Sequence, residues 1–336
     1  MSESLSSMPL DSFAEYIDSL IERSLSGETL SRETVVALLE LDPDSSHAGI
    51  LAAKARELAH KLTGGRGKVW SALGVDRRPC AMSCSFCSLG EKWGIVKEES
   101  EWPDEDIIET ARRSAEAGAS WFVLRTTEFY GLDRLAKLAA KVLAVMPESC
   151  SLLVNTGEID EHSSSLLHEA GVRGVYHTLR LGEGKDTRFD PAERIATLAA
   201  IRDSKLDLFH LAEPLGAEHS NEEIADRMFI GREYGAVMGG VMARINVKGL
   251  PLADSPAASE ARIAHVAAVC RIFGGSRTPD VCAVPATRRV LEAGANVVTI
   301  EVGAIPRSEQ VEHASAWKGI GFEEACELLR SAGYDA

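Results

Sequence analysis

Nothing in the 336-residue chain approaches the roughly 20 unbroken apolar residues of a membrane-spanning helix, so no helical membrane anchor is expected. The first residues, Met1 to Asp11, lack the basic start and apolar run of a secretory signal, and the expected location is the cytoplasm. Positive charge is scarce: 36 Lys and Arg stand against 51 Asp and Glu, a formal net charge of −15. Binding a phosphate backbone needs clustered Lys and Arg to displace counterions, so nucleic acid is not expected as a partner and small-molecule chemistry is favoured. Internal repeats and low-complexity segments are missing too. Cysteine is present but odd in number, seven in all, and without an export signal that count fits metal binding better than disulfides.

With 45% hydrophobic residues, the chain can bury an α/β barrel of about 250 residues plus an extension. Ser12 to Leu25, Ser31 to Leu41 and Ser45 to Leu62 read as helices, an N-terminal extension over residues 1–66 that ends at a Gly64-Gly65-Arg66-Gly67 break. From residue 67 to 336, short apolar runs alternate with longer amphipathic segments. The runs are Val69–Val75, Trp121–Arg125, Ser151–Asn155, Gly174–Leu179, Leu206–Ala212, Val241–Asn246, Val281–Val284 and Val297–Glu301, each followed by a helical stretch, the last at Phe322–Ala332. Eight β-then-α units predict an α/β fold, a TIM-type (β/α)8 barrel with an N-terminal helical extension. The loop after the first strand then lies at the C-terminal mouth, where barrel active sites are built.

That loop holds Cys80, Cys84 and Cys87 in the spacing C-x3-C-x2-C, which brings three sulfurs within reach of three corners of a cubane iron–sulfur cluster and leaves the fourth iron open. An open iron can chelate the amino and carboxylate groups of a methionine moiety. Zinc is the competing reading, but three ligands leave a structural zinc one short, and His60 and His162, the nearest histidines, are far away in the chain.

The cysteine motif, with the aromatic Phe86 before its last Cys, resembles the radical S-adenosylmethionine superfamily. Residues 245–254 (INVKGLPLAD), 293–296 (AGAN) and 193–198 (ERIATL) resemble the matching segments of biotin synthase and its relatives: the radical maturase of iron–iron hydrogenase, methylornithine synthase and the iron-hydrogenase cofactor enzyme. The likeness spans about residues 30 to 310. It implies one 4Fe–4S cluster on the three cysteines, S-adenosyl-L-methionine as cofactor, a 5′-deoxyadenosyl radical as product of its cleavage, and an electron donor such as flavodoxin or ferredoxin.

The resemblance also implies roles for single residues. Phe86 packs on the adenine. Thr126, Thr127 and Glu128, after the second strand, stand where relatives bind the cofactor's amino group with a Gly-Gly-Glu-like segment, although the glycines are missing here; a solvated loop carboxylate is the alternative for Glu128. Arg194 pairs with the cofactor's carboxylate, unless it is an ordinary surface arginine, and Glu183 reaches the ribose. On the fourth strand, alternation turns Tyr176, Thr178 and Arg180 inward and His177 outward. Glu213, Arg244 and Asn246 interrupt apolar strands, and either a structural Glu–Arg bridge or substrate contact explains them. Asn155 belongs to the same class, and Thr287 resembles a polar stretch of the maturase branch.

Biotin synthase binds a second, sulfur-donating cluster through cysteines on its second, third and fifth strands. The corresponding strands here read VLRTT, LLVNT and LFHLA, without cysteine. Cys282 on the seventh strand is the spare cysteine near the lumen, a hydrogen donor or fourth-site ligand, or a small buried packing residue. Cys150, Cys270 and Cys326 read as structural. The leading expectation is therefore an enzyme that abstracts hydrogen from a small substrate in cofactor or amino-acid biosynthesis, with sulfur insertion and a non-catalytic cluster scaffold as alternatives.

Overall fold

A computed structural model describes residues 5–303 and 319–336; the first four residues of the extension lie outside them. Eight parallel strands form the barrel: β1 Lys68–Gly74, β2 Trp121–Arg125, β3 Ser151–Asn155, β4 Gly174–Tyr176, β5 Asp207–Phe209, β6 Ala236–Ala243, β7 Asp280–Val284 and β8 Val297–Gly303. Each pairs with the next, and β8 pairs with β1, so no edge remains open. The strands are apolar runs because both faces are covered.

Several of the helices begin on side-chain caps. The extension is α1 Leu10–Leu25, α2 Arg32–Leu39 and α3 Ser46–Thr63, and the barrel adds α4 Asp104–Glu116, α5 Leu132–Leu143, α6 Glu161–Glu169, α7 Pro191–Arg202, α8 Asn221–Glu233, α9 Glu260–Gly274, α10 Arg288–Glu292 and α11 Phe322–Ser331. Side chains of Asp160, Asp190, Ser220 and Ser259 accept the first free amides of α6 to α9. The α9 sequence is apolar on all sides and every residue from Ala261 to Gly274 except Arg262 is buried, because α1 to α3 cover its outer face and bury Phe13, Ile17, Leu20 and Leu38 in the same core. His265 ties the layers, its Nε2 donating to the Leu38 carbonyl at 2.8 Å.

The lower barrel is filled by rings: Trp70 stands edge-on to Tyr176 and to Phe209, both at 5.6 Å between centroids, and Trp121 packs on Phe209 at 5.8 Å. The upper barrel stays open as a cavity.

Three strands depart from expectation. β4 stops at Tyr176, not Leu179, and from His177 on the chain leaves the ladder toward the mouth. β5 is broken by a register shift and resumes at Ala212–Leu215, still paired to β6. β6 begins at Ala236 although Gly239-Gly240 resembles a turn; Gly240, at φ 141°, is needed because a Cβ there would lie 1.8 Å from the Cys282 carbonyl oxygen. Among the described residues no helix is long and apolar enough to cross a membrane.

Candidate functional site

The loop after β1 folds on itself through its own backbone. Cys80 N–H donates to the Leu89 carbonyl at 2.6 Å, Glu91 N–H to Cys80 at 2.9 Å, and Cys87 N–H to Cys84 at 3.0 Å. Ser83 takes a left-handed conformation, φ 44°, to make the turn between the first two cysteines. The loop is docked to the mouth by Ser85 N–H on the Asp186 carbonyl and by Arg188 on that of Ala81. All three thiols are free and face the cavity with Phe86.

Burial pushes the Cys84 thiol up to about 12 and raises that of Cys80, so a coordinated cation is what would draw the proton from these two. Among the described residues no three His, Cys, Asp or Glu side chains converge on one point that could hold a single ion.

Across the cavity stand two arginines. Arg194, on α7, is 2% exposed, not a surface residue. Its Nη1 donates to Glu158 at 2.6 Å and its Nη2 to the Thr178 carbonyl at 2.9 Å. Arg180 lies 3.6 Å from Glu183, and both guanidinium groups stack on Phe189 at 5.0 Å. Burial and the like charge of Arg180 lower the Arg194 pKa. For Arg180 burial acts the same way, but Glu183, Cys84 and further carboxylates outweigh it and its pKa is raised. His177 is held well below the usual imidazole range by burial and by both arginines, so it is neutral. Burial raises the Glu128 carboxyl, opposed by Arg194 and Arg180.

Three buried atoms of this wall make no hydrogen bond, Arg180 Nη1, Arg194 Nε and His177 Nε2, although the first two lie 3.6 Å from Glu183 and the third 3.5 Å from Glu158. The two guanidinium groups set positive charge on the cavity wall. They fit the carboxylate of a methionine moiety, and the nearby thiol loop fits a cluster, so the residues present suit both groups that the resemblance implies.

Several expected contacts are corrected. Thr127 gives its amide and hydroxyl to Asp76, at 2.8 and 2.5 Å, and Thr126 gives its hydroxyl to Thr156 at 2.8 Å, leaving Glu128 as the side chain of that segment available to a ligand. Glu183 stands behind the wall, not on it, accepting from Arg180 N–H at 3.0 Å and Thr187 Oγ1 at 2.5 Å. His177 faces the cavity because strand alternation ends at Tyr176. Arg244 does not bridge to Glu213; it holds Glu218, Asn246 and the carbonyls of Ser255 and Pro256, clamping a loop at the mouth. Asn246 spends its amide on Ser255. Thr287 caps α10 and lies off the cavity.

Deeper in, the cavity is lined by Asn155, Tyr176, Thr178, Glu213 and Cys282. Thr178 Oγ1 donates to Glu213 at 3.2 Å, and the Cys282 sulfur lies 3.4 Å from Thr299 Oγ1. Burial holds the Cys282 thiol up at about 12, so it stays protonated. Beside them Arg125 pairs with Glu301 at 2.8 Å. Sequence reasoning missed this pair, although each residue ends an apolar strand at the C-terminal face. It also missed Glu158, Asp76 and Thr299. Gly157 signals Glu158: a Cβ at 157 would lie 2.0 Å from the Glu128 carbonyl oxygen, so only glycine lets the loops after β2 and β3 touch.

No protein-family model matches the chain. The FeFe-hydrogenase maturase HydG shares the fold, with a TM-score of 0.76 at 12% identity over 97% of this chain and 77% of that one. Methylornithine synthase PylB does so with a TM-score of 0.73 at 16% identity, covering 94% and 96%. In sequence, the chain is 29% identical over 255 residues to the biotin synthase of Hyphomonas neptunium, spanning 72% of this chain and 77% of that protein. It is 30% identical over 244 residues to the biotin synthase of Renibacterium salmoninarum, covering 69% of each. Identity at that level over more than two thirds of both partners means that the chain belongs to the biotin synthase-like group of radical S-adenosylmethionine enzymes.

Proposed function

We propose that this enzyme reductively cleaves S-adenosylmethionine at a single 4Fe–4S cluster on Cys80, Cys84 and Cys87 and abstracts hydrogen from a small substrate in cofactor or amino-acid biosynthesis. The observation that carries the reading is one cavity with three free thiols at its mouth, two buried arginines on its wall and polar side chains deeper in. Bound there, the cluster and the cofactor supply a carbon-centred radical strong enough to break an unactivated C–H bond.

The residues of the chain hold and orient. The positive charge of Arg194 and Arg180 would receive the cofactor's carboxylate, Glu128 its ammonium and Phe86 its adenine. Glu158 fixes Arg194, and neutral His177 adds no charge. Asn155, Thr178 and Glu213 face the substrate, and Cys282 lies within the same pocket. A one-electron carrier such as flavodoxin or ferredoxin would deliver electrons to the cluster held by the thiol loop.

The single-cluster reading is supported by where the other cysteines lie: Cys150, Cys270 and Cys326 are buried away from the cavity. Sulfur insertion is the second reading, favoured by the identity to biotin synthases. Anaerobic reconstitution followed by iron and sulfide analysis separates them. About four irons per chain supports one cluster, and clearly more supports a sulfur donor. No 5′-deoxyadenosine with dithionite and S-adenosylmethionine leaves only a cluster scaffold.

A further inference from the structure

We infer that the substrate carries a protonated amine and that Glu213 is its anchor. The inference rests on the reading above, that the pocket below the thiol loop receives the substrate.

The carboxylates around the cavity divide into two kinds. Glu301 is paired with Arg125, Glu158 with Arg194, Asp76 with Arg78 at 3.3 Å, and Glu183 with both Arg180 and Arg194 at 3.6 Å. Among the described residues Glu128 and Glu213 line the cavity without an ion pair. Glu128 faces the arginine wall, where the cofactor brings one ammonium. Glu213 lies on the resumed part of β5, beside Tyr176 and Thr178 of the chain leaving β4, and no group of the cofactor's amino-acid end is left over for it.

The surroundings of Glu213 supply hydrogen bonds and, at longer range, the charge of Arg180, but no cation within ion-pair distance. Thr178 Oγ1 donates to it, and the Tyr176 hydroxyl beside it is kept protonated by burial and by the Glu213 charge. Leu211, Pro214, Met242 and Cys282 border the same space and offer nothing positive. A half-buried carboxylate with donors but no cation in contact pairs most favourably with a ligand that brings one. The Tyr176 and Trp70 rings, edge-on to each other at the pocket floor, add faces suited to an alkylammonium group.

The test uses the full chain with its cluster reconstituted anaerobically, with and without S-adenosylmethionine. Putrescine, 5-aminopentanoate and L-norvaline are titrated against 1,4-butanediol, 5-hydroxypentanoate and 2-hydroxypentanoate, with binding read by calorimetry and thermal shift. At least one amine should bind about tenfold or more tighter than its hydroxy counterpart, the range expected of a hydrogen bond to a charged group. Glu213→Gln should remove that preference, Glu213→Asp should keep part of it, and Tyr176→Phe should change it less than about threefold, since it keeps the charge.

Equal binding of amine and hydroxy probes overturns the inference, as does an unchanged preference in Glu213→Gln. A Glu213→Gln protein that loses affinity for S-adenosylmethionine while amines bind normally overturns it too, because the carboxylate then serves the cofactor. Cofactor cleavage without any amine preference sinks this inference alone. A Glu213-dependent amine preference without cofactor cleavage sinks the radical reading and leaves the anchor standing.

Discussion

Replacing Glu158 by Ala removes the partner of a buried arginine, and the structure sets the cost. Arg194 is 3% exposed in its side chain and loses its 2.6 Å bond from Nη1; Thr197, also buried, loses its 2.5 Å bond to the other carboxylate oxygen. Hydrogen bonds to a charged group are worth about 1.5–3 kcal/mol each, and breaking a buried ion pair from one side costs about 3–5 kcal/mol. The Glu158 side chain is 29% exposed, so water replaces part of the loss, and about 3 kcal/mol is expected. An unfolding entropy of about 2.1 cal/mol/K per residue gives about 0.7 kcal/mol/K for a chain of this size, hence a midpoint lowered by roughly 4 °C. Differential scanning calorimetry of the anaerobic protein reads it, with Glu158→Gln, which keeps acceptor and shape, losing about half as much. A drop below about 1 °C for Glu158→Ala, or equal drops for both variants, refutes the account of Arg194 as a buried cation held by Glu158.

Cys84→Ala should reduce iron after reconstitution from about four per chain to near zero while the circular dichroism spectrum stays that of the wild type, because the loop closes through backbone bonds. Gly157→Ala places a methyl 2.0 Å from the Glu128 carbonyl oxygen, so it should destabilise by about 2 kcal/mol and weaken S-adenosylmethionine binding, read by calorimetry and titration. His265, whose pKa burial holds down to about 4, binds its proton later than an unfolded histidine does near 6.5. The unfolded state thus takes up more protons between those values, and stability should fall by up to about 3 kcal/mol as pH drops from 6.5 to 4. His210, held at about 3, acts in the same direction, so His265→Gln should flatten the slope in part, and an unchanged slope would contradict the assignment.

Much of the fold was legible because its signals are local. The bounds expected for β2 and β3 coincide with those observed, since each is a short apolar run between turn residues. The departures come from tertiary demands. β6 runs through Gly239-Gly240 because Cys282 presses on it from β7, and β4 ends early because the chain beyond it must carry Thr178 and Arg180 to the mouth.

The same division holds for the site. Cys80, Cys84 and Cys87 lie within one loop, so spacing alone made them candidates, and the eight-fold alternation of strands and helices was enough to place that loop at the barrel mouth. Arg125 and Glu301 are 176 residues apart, and Glu158 and Arg194 are 36 apart; only barrel closure brings such partners within hydrogen-bond distance. Which carboxylates are neutralised was therefore undecidable from residue types, because pairing is a property of distance and burial. The sequence by itself set three thiols close together in one loop, through covalent nearness. The tertiary structure decided the pocket beneath it, committing Arg244, Thr127 and Glu183 to the scaffold and leaving Glu213 without an ion-pair partner.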